Sequence, residues 1–201
     1  VHIHHLGYIN GTENFYKKPE LVLDVAASGI INLYNCCKEK KIEEFYLAST
    51  SEVYQTPTKF PAAENERLII PDIMNPRYSY GGGKILCELV AMHGIQKLVN
   101  KLIIYRPHNV YGPDMGNEHV IPQFFIKIKK LIEEFGFNEV INFPIQGSGD
   151  ETRSFIHIND FIKAVELIIN KGENNQIYHI GNSDEVSIKK LATLISKTLD
   201  I

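Results

Sequence analysis

Short apolar runs alternate with stretches of helical spacing along this chain, and that alternation restricts the fold more than any other feature. Residues 1–9 read as a strand, Phe45-Tyr46-Leu47-Ala48-Ser49 as a second and Leu102-Ile103-Ile104-Tyr105-Arg106 as a third. Between the first two, Leu21, Val25, Gly29, Asn32, Leu33 and Cys36 recur at helical spacing. Between the second and third, a loop bearing Pro57, Pro61, Pro71 and Pro76 leads into another helix. Strand, helix, strand, helix, strand is the rhythm of a parallel α/β sheet.

After Gly112-Pro113 the same alternation continues. Ile121, Phe124, Phe125, Ile128, Leu131 and Ile132 mark an amphipathic helix, and residues 140–143 a strand. Residues 160–170 read as a helix, 177–180 as a strand and 187–199 as a final helix with Ser187 at its N-cap. No internal repeat interrupts this order.

Composition excludes several classes. The chain has 201 residues, 44% of them hydrophobic, and a formal net charge of -3, enough to bury a core and too balanced to present a broad cationic field to nucleic acid or an anionic membrane. Lys127, Lys129 and Lys130 are followed by Glu133 and Glu134, which reads as a solvated helix face. Cys36, Cys37 and Cys87 form no Cys-x-x-Cys pattern, so neither a disulfide framework nor a zinc site is expected, and a reducing cytoplasm is the natural setting. No apolar run reaches the roughly 18 residues of a membrane span. His2 and His4 share one strand face while His5 takes the other, so no metal site is expected there.

The chemistry concentrates in three segments. Tyr80 and Lys84 stand four apart on a predicted helix, on one face, with Cβ atoms about 5–6 Å apart. An ammonium there is expected to depress the tyrosine pKa from about 10 and make the phenolate a usable base. Upstream, Ser49-Thr50-Ser51-Glu52-Val53-Tyr54 closes a strand, putting the Thr50 hydroxyl at the carboxyl edge of a parallel sheet, where open α/β folds bind ligands. Glu52 adds an acid or base two residues on. Downstream runs Arg106-Pro107-His108-Asn109-Val110-Tyr111-Gly112-Pro113.

These segments together resemble the extended short-chain dehydrogenase/reductases, in particular the NAD-dependent epimerase/dehydratase group acting on nucleotide sugars. The resemblance covers nearly the whole chain. His5-Leu6-Gly7 is similar to the family's strand end beside the cofactor, and Thr50, Tyr80 and Lys84 fall on its Ser/Thr, Tyr and Lys. It implies a Rossmann-like doubly wound parallel sheet over residues 1–112, and over 113–201 mainly a small α/β lobe for the nucleotide sugar, some of whose segments return to the first sheet. It further implies Leu6, Gly7, Ser49, Tyr80, Lys84, Pro107 and His108 at an NAD site, and Asn109, Val120 and Arg153 at the substrate. Gly147-x-Gly149-x-x-x-Arg153-x-Phe155-Ile156-His157-Ile158-x-Asp160 resembles the substrate-lobe signature whose arginine binds the diphosphate, a task that suits the planar guanidinium fork. A homodimer through the helices carrying Leu21, Val25, Leu86, Leu89 and Val90 is also implied.

Several positions depart from the family's pattern. Gln55 stands where many relatives have Gly, Ala26 where Asn is frequent and Asn159 beside Asp160 where Asp is frequent. The family's first strands and their Gly-x-x-Gly-x-x-Gly turn, which seats a pyrophosphate on a helix N-terminus, have no counterpart in the sequence, so the chain is expected to be part of a longer protein. The expected chemistry is transient oxidation of a nucleotide sugar at C4. Hydride return to the other face then gives a 4-epimerase, while Glu52 acting at C5 gives a 4,6-dehydratase or a uronate decarboxylase. A non-catalytic dinucleotide-binding scaffold is the alternative outside enzymes.

Overall fold

The computed structural model describes residues 1–136 and 142–199. In chain order the elements are β1 (His2–His5), α1 (Thr12–Lys17), α2 (Pro19–Glu39), β2 (Glu44–Ala48), α3 (Ser79–His93), β3 (Lys101–Pro107), β4 (Asn109–Tyr111), α4 (Val120–Phe135), β5 (Thr152–His157), α5 (Ile158–Lys171), β6 (Gln176–Ile180), β7 (Glu185–Ser187) and α6 (Ile188–Thr198), with short 3-10 turns at Ser51–Val53, Pro76–Tyr78 and Ile95–Lys97. The chain divides into two compact units, one of residues 1–108 and 161–180, the other of 109–160 and 181–201. The division falls four residues before the expected one at 112/113, and Phe161–Ile180 lies with the first unit.

The first unit is built on a four-stranded sheet in the order β1-β2-β3-β6, parallel throughout. Phe45, Tyr46 and Leu47 are completely buried, as are Leu102, Ile103 and Ile104. Successive side chains point to opposite faces of a strand, so both faces here are covered, as the apolar runs require. On one face Ala26, Ile30 and Cys37 of α2 and Cys87 and Ala91 of α3 pack with Phe45, Leu47, Leu102 and Ile104.

Pro19 starts α2, where its missing N–H costs nothing. The buried stripe of α2 is Val22, Ala26, Ile30 and Cys37, one residue later than the Leu21/Val25 series read from the sequence. Leu21 is 40% exposed, because the neighbouring series is equally apolar and spacing alone does not distinguish two adjacent stripes. The first strand also ends earlier than expected, at His5, and residues 12–17 form a helix where none was expected.

In the second unit β4, β5 and β7 form a three-stranded sheet, with β4 parallel and β7 antiparallel to β5. Phe124 and Ile128 of α4 pack with Leu191 and Ile195 of α6 as its core. Ser187 caps α6, its Oγ accepting from Lys190 N at 3.1 Å. The strand expected at 140–143 lies partly outside the described residues; Asn142 and Phe143 belong to no strand. Among the described residues no helix is long and apolar enough to cross a membrane, and no three His, Cys, Asp or Glu side chains form a metal-binding group. His4 instead stacks on Tyr46 at 4.6 Å, and His2 lies between Glu43 and Glu44 at 3.5 and 3.2 Å.

Candidate active site

At the carboxyl edge of the parallel sheet, β2 ends at Ala48 and the chain turns. Ser49 N still bonds Tyr105 O of β3 at 2.8 Å. Thr50, in extended backbone, caps the turn Ser51–Val53 by accepting from Glu52 N at 3.2 Å. The loop that follows returns to Asn75, whose Oδ1 caps the turn Pro76–Tyr78, and this turn runs directly into α3. Tyr80 and Lys84 thereby sit in the first turns of α3, both buried, as is Thr50 just beyond the end of β2.

Lys84 Nζ donates to Ala48 O at 2.7 Å. It also lies 4.1 Å from the centre of the Tyr8 ring and 6.0 Å from that of Tyr80. The expected depression of the Tyr80 pKa by Lys84 is not found. Burial pushes the phenol up to about 12 and the charge of Glu52 adds to the rise, while the Thr50 hydrogen bond and the Arg77 charge work against it. Burial lowers Lys84 itself to about 8. Desolvation is the largest cause of both shifts, ahead of the neighbouring charges of Glu52 and Arg77 on Tyr80 and of Glu88 on Lys84.

Glu52 is not alone. Arg77 Nη1 donates to its Oε2 at 2.9 Å, with the two side chains 28% and 36% exposed. The Arg77 guanidinium carbon also lies 5.3 Å from the centre of the Phe15 ring, and Phe15 stacks on Tyr80 at 4.9 Å. The helix α1, absent from the sequence reading, is therefore the lid of Tyr80. Gln55, where glycine is frequent, takes φ of 50°, in the left-handed region, and its Nε2 donates to Glu52 O at 2.6 Å.

Beneath these groups lies a buried polar network. Glu88, one turn after Lys84, accepts from Arg106 Nε at 2.9 Å and Nη2 at 2.5 Å, and from the Ser49 hydroxyl. Arg106 Nη1 donates to the Tyr54 hydroxyl and to Glu64 O. Tyr54 in turn bonds His179 Nε2 at 2.6 Å. Ser49, expected beside a cofactor, thus has its hydroxyl committed to Glu88. Cys87, on the same helix, is buried, with its thiol pushed up to about 11 by desolvation and its Sγ 3.7 Å from Ala26 O, a packing residue.

The remaining expected cofactor positions lie in the first unit. Leu6 is 60% exposed, and a Cβ on Gly7 would meet nothing within 4 Å, leaving an open apolar margin after β1. Pro107 ends β3, and His108 N bonds Ile180 O at 2.8 Å while its Nδ1 is buried without a hydrogen-bond partner among the described residues. The expected substrate positions lie in the second unit. Asn109 of β4 donates to Ser154 O at 2.9 Å, Arg153 of β5 to Thr152 O at 2.7 Å, and Val120 opens α4.

Tyr8, Phe15, Arg77 and Glu88 escaped the sequence reading. Glu88 could have been found from its place four residues after Lys84, on the helix face that carries Tyr80 and Lys84.

A parallel sheet with Thr, Tyr and Lys gathered at its carboxyl edge defines a protein of the short-chain dehydrogenase/reductase class. The chain belongs to the NAD dependent epimerase/dehydratase family, whose sequence model matches residues 1–181. It is 28% identical over 191 residues to a dTDP-D-glucose 4,6-dehydratase of Dictyostelium discoideum, covering 91% of this chain and 41% of that protein. It is 27% identical to a dTDP-4-dehydro-6-deoxy-D-allose reductase of Streptomyces bikiniensis, covering 97% and 58%. Among solved structures, a dTDP-glucose 4,6-dehydratase of Streptomyces venezuelae with NAD bound superposes with a TM-score of 0.83 over 99% of this chain and 57% of that one, at 22% identity. A UDP-N-acetylglucosamine 4-epimerase of Methanobrevibacter ruminantium gives 0.80 over 100% and 61%, also at 22%. The chain spans about half the length of the relatives it matches.

Proposed function

We propose that this chain carries the catalytic groups of an NAD-dependent nucleotide-sugar epimerase/dehydratase that oxidises its substrate transiently at C4. The observation that carries the reading is the gathering of buried Thr50, Tyr80 and Lys84 at the sheet edge, with Thr50 favouring the Tyr80 phenolate and the Lys84 ammonium 6.0 Å from the centre of the Tyr80 ring. Thr50 orients the sugar hydroxyl, and Tyr80 accepts its proton as the C4 carbinol becomes a ketone and returns the proton when the ketone is reduced. A phenol at about 12 is a poor base by itself, so Thr50 and Arg77, which favour the phenolate, act in the productive direction.

The donor set fits a nicotinamide nucleoside. Lys84, whose ammonium keeps two N–H groups beyond its bond to Ala48 O, would hold ribose hydroxyls, His108 would offer an unpartnered buried nitrogen, and exposed Leu6 with Gly7 would border a flat ring. When bound, the dinucleotide supplies the electron acceptor and donor for C4. In the second unit Arg153 and Asn109 would take the diphosphate and its sugar. Leu21, Leu23, Ile31, Leu86 and Leu89, exposed on α2 and α3, would form the seam of a homodimer, which mass measurement in solution tests. The free thiols Cys36, Cys37 and Cys87 are in keeping with a cytoplasmic setting.

Glu52 and its partner Arg77 favour a second step at C5, hence a 4,6-dehydratase or a uronate decarboxylase over simple epimerisation. The test of the main reading is Tyr80→Phe in the full-length protein, assayed against UDP-, GDP-, dTDP- and CDP-sugars. Loss of turnover by about a hundredfold or more is expected. Turnover equal to wild type would retire Tyr80 as the base.

A further inference from the structure

Tyr8 stands in the segment between β1 and α1, outside every motif that singles out the site. Three contacts tie it to α3. Its ring face lies 4.1 Å from Lys84 Nζ, its ring meets that of Tyr80 edge-on with centres 5.2 Å apart, and its hydroxyl donates to Tyr80 O at 3.4 Å. A fourth observation shows that α3 is shaped for it. A Cβ on Gly83 would run into the Tyr8 hydroxyl, so the helix has a glycine where the phenol approaches.

We infer that Tyr8 is a positioning residue, whose ring face holds the Lys84 ammonium in place beside Tyr80. A buried ammonium bonded to a single carbonyl leaves two N–H groups to satisfy. An aromatic face within about 6 Å is attractive to a cation, and more so when water is excluded. Lys84 has 3% of its surface exposed, so the ring acts on it in that desolvated setting. The other groups around the ammonium are His5 on β1, the Ala48 carbonyl on β2, and Tyr80, Cys87 and Glu88 on α3. Burial first, and then Lys84, lowers the pKa of His5, so His5 brings no competing charge near neutral pH.

The inference rests on Lys84 having the role proposed above, but its test does not need turnover. Full-length protein labelled with 13C-lysine is titrated by NMR, with the Lys84 signal assigned by its loss in Lys84→Arg. Tyr8→Phe keeps the ring and is expected to leave the Lys84 midpoint where it was. Tyr8→Leu keeps apolar cover without the ring face and is expected to lower that midpoint by about half a unit, the loss of a stabilised cation. An unchanged or raised midpoint in Tyr8→Leu overturns the inference, as does a shift of equal size in Tyr8→Phe. If Tyr8→Leu does not fold, Gly83→Ala displaces the ring from the other side; there too a fall supports the inference and no change overturns it. A wild type without turnover that still shows the Tyr8→Leu shift leaves Tyr8 in this role and removes the catalytic reading instead.

Discussion

Arg106 meets both carboxylate oxygens of Glu88, Nε to Oε1 at 2.9 Å and Nη2 to Oε2 at 2.5 Å, with the side chains 3% and 5% exposed. Removing one partner leaves the other charge buried and unpaired. Glu88→Ala is therefore expected to cost about 3–5 kcal/mol, while the paired replacement Glu88→Leu with Arg106→Met lies much nearer to wild type. Urea unfolding of the three proteins checks both parts; a Glu88→Ala cost below about 1 kcal/mol would show that the pair contributes like a surface bridge.

Gly83 separates α3 from both Tyr8 and α2, for a Cβ there would also lie 2.9 Å from Ala26 Cβ. Gly83→Ala gains helix propensity of about 1 kcal/mol and loses about 1–3 kcal/mol to overpacking, so a net destabilisation is expected. Because one clash is with the Tyr8 hydroxyl, the double variant with Tyr8→Phe should recover part of the loss. Strict additivity in that double-mutant cycle would disprove the contact.

Burial holds Lys84 near 8 in the folded protein against an ordinary 10.5. Between those values the unfolded chain binds a proton that the folded chain has released. This group's contribution to stability is therefore present above the unfolded value and is lost as pH falls through about 8. Lys84→Met should remove the pH-dependent increment, on the order of 3 kcal/mol, and so flatten the difference between stabilities measured near pH 7 and near pH 10. Parallel curves for the two proteins would place the lysine at an unperturbed pKa.

For the chemistry, Glu52→Gln is expected to spare oxidation at C4 and to slow exchange of the C5 proton with solvent by about a hundredfold or more. Deuterium incorporation followed by mass spectrometry, with Tyr80→Phe as the variant that loses both, separates the two steps. Undiminished exchange in Glu52→Gln would assign the C5 proton to another group.

The parallel sheet was legible because Phe45 to Ala48 and Leu102 to Arg106 are apolar runs that a strand covered on both faces demands. That Thr50, Tyr80 and Lys84 come together was legible because a strand end places Thr50 at the sheet edge and the spacing of four puts Tyr80 and Lys84 on one face of α3. The buried stripe of α2 was misread by one residue, since Leu21 and Val22 are both apolar and only packing chooses between them. The short strands β4 and β7 have three residues each, too few for alternation to declare itself. Tyr8, Phe15 and Arg77 act across long stretches of chain on Lys84, Tyr80 and Glu52, and no local pattern encodes such pairings. The same long-range contacts explain why burial, and not the neighbouring lysine, sets the Tyr80 pKa.

Helix α3 carries Tyr80, Lys84 and Glu88 at four-residue intervals along one face, so the proposed reacting groups and one partner of the buried ion pair share one rigid rod. Their backbone amides are expected to exchange with deuterium only when the whole unit opens, whereas the amides of residues 56–75, in the exposed loop beyond Glu52, should exchange through local opening. The groups proposed to handle the proton are therefore as long-lived as the fold itself, and on that proposal adaptation to a new sugar falls to the loop that opens without them.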